Sequence, residues 1–462
     1  MNPDYASFIE SKATAHVPAG FDADCSDYDL FPFQRATVEW ALNLGRAAIF
    51  ADTGLGKTFM QLVWARKVAD HTDRPVIVIA PLAVVRQTER EAAKFAIPGV
   101  KVIGSQSDMD GPGVYVINYD ARHKIDASVF GGVVLDESSI LKNAVGRTRN
   151  QLIEMFRQTP YRLACTATPS PNDHTELGNH SEFLGVMDEA IMRARWFVND
   201  LGDTVQPWRL KRHAVDDFWR WVSSWARCIG KPSDMGDYSD DGYDLPRLNI
   251  VKHSVAVDLT KDRDDGMLFR IPDMSATSIH KEKRRTAGAR AQKVMDLIRA
   301  KPDADWAIWC DTDYDQDAIT ALIPDAIDVR GRDKPADKAA GLLRFCDDGG
   351  VVITKPKIAG MGLNWQHAHN MAFMGGTYSY EQFYQTVRRM YRFGQTEEVN
   401  AHVVMATTEL SMWSAIHRKS TQHEQMKVRM YGASKKAAQR YANRTHYNPS
   451  MSAPVPAWLH TR

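Results

Sequence analysis

Ala51-Asp-Thr-Gly-Leu-Gly-Lys-Thr58 follows directly on the apolar run Ala47–Phe50 and leads into a helix-length stretch, Phe59–Val68. A short buried run, a glycine-punctuated turn and a helix make a strand–loop–helix unit of an α/β sheet. Gly54 and Gly56 let successive backbone N–H groups face one point, and the start of the following helix adds positive potential there. That combination cradles phosphate. Thr53, Gly54, Leu55 and Gly56 form the cradle. Lys57 is placed to hold the β- and γ-phosphates of ATP, and the Thr58 hydroxyl to ligate Mg²⁺. The strict pattern has glycine where Ala51 stands. A strand–helix turn without a ligand is the alternative reading of the same residues.

A phosphate loop of this kind needs a second strand ending in a carboxylate, and Gly132-Val-Val-Leu-Asp136-Glu137 supplies one. Asp136 is a candidate for the Mg²⁺ sphere, and Glu137 for polarising the attacking water. Around these two strands the pattern repeats. Val76–Ala80, Val114–Ile117 and the more polar Tyr161–Thr166 alternate with helical stretches. It returns at Trp306–Trp309, Ala326–Val329, Val351–Ile353, Met371–Phe373 and Ala401–Val404. Short β-branched runs spaced by helices indicate parallel strands, so two α/β blocks are expected.

The segment between the blocks differs in composition. It holds Trp196, Trp208, Trp219, Trp221 and Trp225, then the acidic run Ser233–Asp244 and the basic run Lys281–Arg285. Phe218, Trp221, Val222 and Trp225 share one helix face, so packing against a lobe is favoured over base stacking. Ser233–Asp244 reads as a mobile connection. After Tyr431 the chain has no acidic residue, several Lys and Arg, and Pro449, Pro454 and Pro456, which reads as a basic, poorly ordered tail. The expected division is an N-terminal extension (1–24), a first lobe (25–187), an insert and linker (188–285), a second lobe (286–430) and the tail (431–462).

Composition bounds the rest. The 462 residues exceed one compact core. A formal net charge of +1 gives no global attraction to nucleic acid, so any such binding rests on local basic grooves. The 5 cysteines lack any C-x-x-C pair, which argues against a disulfide framework or zinc knuckle and fits a reducing cytosol. No stretch approaches a membrane span or the apolar core of a signal peptide.

Taken in order from about Leu30 to Thr408, these pieces resemble the superfamily 2 helicases. They are most similar to the SWI/SNF-type branch and its small phage- or prophage-encoded members. Leu30-Phe-Pro-Phe-Gln34 resembles the Q motif, whose glutamine pairs with adenine; Ile79-Ala-Pro-Leu82 resembles motif Ia. Asp136-Glu-Ser-Ser139 occupies motif II, with Ser138-Ser139 where Ala-His is usual, and Leu141-Lys-Asn143 continues it. Thr166-Ala-Thr-Pro169 resembles motif III, Ala359-Gly-Met-Gly-Leu-Asn364 motif V, and Gln385-Thr-Val-Arg-Arg-Met-Tyr-Arg-Phe-Gly-Gln395 motif VI.

The resemblance implies two RecA-like parallel-sheet lobes with ATP in the cleft between them, carrying a Trp-rich insert and the basic tail. It implies Gln34 as the adenine contact, and Arg389 and Arg392 as arginines crossing to the γ-phosphate. On spacing alone, Arg388, Arg389 and Arg392 also fit a solvated helix face. It further implies Thr166, Thr168, Gly362 and Gln385 as coupling residues, and Pro81, Leu82, Lys355, Lys357 and Asn364 as nucleic-acid contacts. The expected activity is an ATP- and Mg²⁺-dependent motor on duplex or branched DNA in the cytoplasm of a bacterial host, with a nuclease or a replication or recombination protein as candidate partner. A strand-separating helicase and a nucleotide-gated subunit of a nuclease assembly are the alternatives.

Overall fold

Pro32 opens helix α1 (Pro32–Leu44) at a position where no N–H is required. There follow β1 (Arg46–Ala51), α2 (Lys57–Thr72), β2 (Val76–Ala80), α3 (Leu82–Lys94), β3 (Val100–Val102), β4 (Val114–Asn118), β5 (Gly132–Asp136), α4 (Arg147–Met155) and β6 (Tyr161–Cys165). The computed structural model describes residues 18–143, 146–171, 173–199, 208–257, 276–359, 364–375 and 379–442. The strands pair in parallel in the order β3-β4-β2-β5-β6-β1. Alternate residues feed opposite faces of this sheet. Ile49 and Val78 lie in one apolar cluster, Phe50 and Ile77 in the other, and all four are buried.

This first lobe extends past residue 187, into the expected insert. After α5 (Glu176–Leu184), α6 (Glu189–Trp196) and the antiparallel pair β7 (Phe197–Asn199) and β8 (Trp208–Leu210), helix α7 (Val215–Trp225) leads into β9 (Ala226–Ile229). Strand β9 joins β1 in parallel, from Ala48↔Ala226 to Ala51↔Ile229, and forms the sheet's edge. Trp196, Trp219, Trp221 and Trp225 are all buried against this lobe, as packing rather than exposed stacking surfaces. Four residues, Ala-Arg-Cys-Ile, were too few and too polar to register as a strand.

The second lobe contains β10 (Leu248–Val255), α8 (Ala276–Arg299), β11 (Trp306–Cys310), α9 (Asp313–Thr320), β12 (Ile327–Asp328), α10 (Pro335–Asp348), β13 (Val351–Thr354), α11 (Pro356–Ala359), β14 (Asn370–Met374), α12 (Tyr380–Val387), β15 (Val399–Ala406) and α13 (Leu410–Ala442). Its six parallel strands run β10-β15-β14-β11-β13-β12. Strand β10 falls within the expected linker. As an exposed edge strand it carries Asn249, Lys252, His253 and Ser254, so it lacks the apolar run that marks the interior strands.

Two other readings differ from the structure. Ser233–Asp244 is stitched down rather than loose: Gly230 N donates to Asp234 Oδ2 (2.8 Å), Ser233 Oγ to Asp240 Oδ2 (2.7 Å), and Lys231 pairs with Asp240 at 2.6 Å. The segment from Tyr431 to Ala442 is helical, as the last part of α13, and residues 443–462 lie outside the described residues. Met426, Met430, Ser434 and Ala438, four apart, form the buried stripe that docks α13 on the first lobe. Two methionines, a serine and an alanine among Lys and Arg give a weak apolar signal. Among the described residues no helix is long and apolar enough to cross a membrane.

Candidate active site

Three neighbouring strands, β5, β6 and β1, end at one edge, because Ala164 of β6 is in register with both Leu135 and Ala48. Their ends deliver Asp136–Glu137, Thr166 and the phosphate loop to the same place. Open α/β sheets bind ligands at this edge.

The loop's glycines are dictated by geometry. Gly54 (φ 95°) and Gly56 (φ 76°) are in the left-handed region. A Cβ at Gly56 would lie 2.2 Å from Gln34 Nε2, and one at Gly54 would lie 2.8 Å from Phe393 Cβ of the second lobe. Lys57 opens α2 and donates to Ala51 O at 3.3 Å. Thr53 N donates to Asp52 Oδ1 at 2.8 Å, Leu55 is buried, and Thr58 sits in the first turn of α2. Gln34 is buried against the loop, donating to Leu55 O at 2.8 Å and accepting from Phe31 N at 3.0 Å. It thus braces the cradle, and each end of its amide keeps one further hydrogen-bonding position for a base.

Burial, and then the neighbouring Glu137, push the Asp136 carboxyl above its ordinary range, with Lys57 opposing. A buried carboxyl held up in this way is suited to a cation. Together with the Thr58 hydroxyl it makes an oxygen donor pair that fits Mg²⁺ accompanied by phosphates. Among the described residues no group of three or more His, Cys, Asp or Glu could hold a metal by itself. Glu137 adopts φ 53°, a left-handed conformation that non-glycine residues take up at a cost of about 1–3 kcal/mol. Its Oε2 accepts from Thr166 Oγ1 at 3.3 Å, and Thr168 N donates to Thr166 Oγ1 at 3.1 Å. Motifs II and III are therefore wired directly through Glu137 and Thr166. Ser138 Oγ makes a separate link to His180 Nε2 at 3.1 Å.

Arg389 comes from the second lobe and is 9% exposed. Burial and Arg392 lower its guanidinium to about 10, while the Glu137 charge opposes. Arg392 is also lowered by burial, with Glu91 of α3 as its opposing charge. Neither arginine is a freely solvated side chain. Gln395 fixes the end of this segment, donating to Gln366 O at 3.0 Å and accepting from Glu397 N at 2.9 Å. Lys142 of the first lobe pairs with Glu381 of α12.

A group that sequence reasoning missed also joins the lobes. Arg388 Nη2 donates to Asp52 Oδ2 at 2.8 Å, Lys427 Nζ to the same oxygen at 3.2 Å, and the Tyr384 hydroxyl to Asp52 Oδ1. Burial alone would raise the Asp52 carboxyl, but Arg388, Lys427 and Tyr384 hold it well below the usual carboxylate range. Asp52 precedes the cradle and Arg388 precedes Arg389, which is the one signal the sequence offers.

The remaining expected residues are more dispersed. Pro81 caps α3 and Leu82 is 70% exposed at the end of β2. Lys355 is paired with Asp313 at 2.7 Å, so a phosphate there would have to displace that carboxylate. Lys357 and Asn364 are exposed, and Asn364 donates to Gln366 Oε1 at 2.6 Å. Gln385 lies half-buried on α12, and Gly362 lies outside the described residues.

Two parallel-sheet lobes with a phosphate loop, an Asp–Glu pair and opposed arginines define an ATPase of RecA-like architecture. Residues 33–206 match the SNF2-related domain. It is similar to the SWI/SNF-related matrix-associated actin-dependent regulator of chromatin subfamily A-like protein 1 of Xenopus tropicalis (26% identity over 159 residues, 32% of this chain and 17% of that protein). It is also similar to putative protein p41 of Acyrthosiphon pisum secondary endosymbiont phage 1 (27% over 195 residues, 36% of this chain and 42% of that protein). The matches thus span less than half of those relatives' lengths. Among solved structures, the Sulfolobus solfataricus SWI2/SNF2 ATPase core in complex with dsDNA aligns with 92% of this chain and 96% of that chain, at 18% identity and a TM-score of 0.41.

Proposed function

We propose that the chain is an ATP-driven motor that translocates on, or remodels, duplex or branched DNA. The observation that carries this reading is the contact between the lobes at the phosphate loop, where Arg388, the chain neighbour of Arg389, donates to Asp52 Oδ2 at 2.8 Å. A cation delivered across a cleft makes hydrolysis depend on closure, so nucleotide state becomes a mechanical state.

In the proposed cycle the loop Thr53–Gly56 and Lys57 bind the phosphates, and Gln34 orients the base. Thr58 and Asp136 would hold Mg²⁺, which neutralises developing phosphate charge when bound. Glu137, aimed by Thr166, orients and deprotonates the attacking water, and Arg389 and Arg392 stabilise the charge of the transferring group. Hydrolysis releases the closed state. Pro81 and Leu82 on one lobe, and Lys357, Asn364 and Lys355 once freed from Asp313, on the other, would grip a phosphate backbone in alternation. Backbone grips carry little sequence information, so binding should tolerate sequence and weaken steeply with salt.

Steady-state phosphate release tests this against blunt duplex, forked DNA, single strands and RNA. Duplex or forks are expected to stimulate most. Stimulation chiefly by single strands would favour a strand-separating helicase, and turnover indifferent to nucleic acid would favour a nucleotide-gated subunit.

A further inference from the structure

Lys427 lies outside every segment that resembles a helicase motif, on the long helix α13, yet it is 5% exposed and reaches the start of the phosphate loop. Its Nζ donates to Asp52 Oδ2 at 3.2 Å and to the Tyr384 hydroxyl at 2.5 Å. Asp52 is itself built into the loop: its N–H donates to Ile229 O at 2.9 Å, and its Oδ1 accepts from Thr53 N. Three elements therefore meet on one buried carboxylate: the loop, the end of α12 and α13.

Stability alone explains this group poorly. A second buried cation on one carboxylate adds desolvation that its attraction need not recover, and an apolar side chain would fill the space as well. What the ammonium adds is direction. Arg388 lies near the rings of Tyr384 and Tyr391, at 5.1 and 5.3 Å from their centroids, and Lys427 holds the Tyr384 hydroxyl and Asp52 together. Arg388 is the chain neighbour of Arg389, so the register of that pair sets where Arg389 and Arg392 approach. Met426 and Met430, on either side of Lys427, are buried in the tryptophan cluster of the first lobe. The helix leaves the second lobe at β15 and is fixed to the first, so Lys427 reads their relative position.

We infer that Lys427 is a positioning residue for ATP hydrolysis: it fixes the Asp52–Arg388 pair and through it the approach of Arg389 and Arg392 to the nucleotide. The inference rests on the site assignment proposed above. The full chain carrying Lys427→Met or Lys427→Arg would be assayed for duplex-stimulated phosphate release over a range of ATP, alongside affinity for a fluorescent ATP analogue. Lys427→Met is expected to lower kcat by about tenfold or more, with KM and analogue affinity within about threefold, and Lys427→Arg to recover most of the loss.

Because a buried substitution can also unsettle folding, Lys427→Met is repeated in an Asp52→Asn background. With the shared partner neutralised, it should cost little more. Normal kcat in Lys427→Met, equal losses in the Met and Arg variants, or full additivity with Asp52→Asn would each overturn the inference. A wild-type chain that fails to hydrolyse ATP would remove the underlying assignment. An active wild type with an unaffected Lys427→Met removes the inference alone.

Discussion

Thr166→Val removes one hydroxyl and keeps the shape of a side chain that is fully buried. Two effects compete. The Glu137 carboxylate loses the Thr166 bond, which at 3.3 Å is at the weak end of hydrogen bonds to charged groups, about 1.5 kcal/mol. If that bond aims Glu137 at the attacking water, kcat falls by about tenfold. The buried Thr168 N–H also loses its acceptor, at about 1–3 kcal/mol of stability. Against a typical total of about 5–15 kcal/mol, the domain stays folded and the second effect appears in the melting temperature. Thr166→Ser keeps the hydroxyl and should hold kcat within about twofold, losing stability only through the missing methyl. Phosphate release at saturating ATP, analogue binding and thermal melts separate these terms. A Thr166→Val protein with wild-type kcat and only a lower melting temperature would refute the coupling role.

Lys57→Ala should abolish hydrolysis with the fold intact, whereas Glu137→Gln should still bind ATP and lose turnover; wild-type turnover in Glu137→Gln would refute the assignment of the water-activating residue. Arg389→Ala and Arg392→Ala should each lower turnover by on the order of a thousandfold while leaving ATP affinity for the first lobe largely intact. Near-normal rates in both would return them to a structural role. His180 gives a pH signature, because burial pulls its imidazole from 6.5 down to about 4. Between those values the unfolded chain binds a proton that the native one does not, so stability falls as pH drops from about 6.5 towards 4. Melts at pH 7.5 and 5.0 should show a larger loss in wild type than in His180→Gln, and equal losses would contradict this.

The first lobe's candidate site could be proposed from sequence because its residue types are compressed into short runs. The loop 51–58, Asp136–Glu137 and Thr166–Thr168 each carry their residue types at fixed spacing beside a strand, and three adjacent strands bring them together. Trp221 and Trp225 were readable as packing because they share one helix face with Phe218 and Val222. Edges were not readable. Strands β9 and β10 are held by pairing to a neighbour, so neither needs the apolar run that announces an interior strand. The role of α13 escaped for a related reason: its buried stripe uses Met, Ser and Ala, and Lys427 looks like any surface lysine until the fold sets it against Asp52. The Asp52–Arg388 contact spans 336 positions, and no local pattern encodes that distance.

Hydrolysis is proposed to move the protein along duplex DNA. Displacement of a triplex-forming third strand from a duplex tests it most directly, with Glu137→Gln as the control and a plain tailed duplex measured in parallel. Unpairing must also overcome about 1.4 kcal/mol of stacking per base-pair step, and gripping a backbone does not by itself supply a wedge. The expected result is ATP-dependent loss of the third strand, absent in Glu137→Gln, with poor unwinding of the tailed duplex. A retained third strand, with efficient unwinding of a long tailed duplex by the isolated protein, would contradict it.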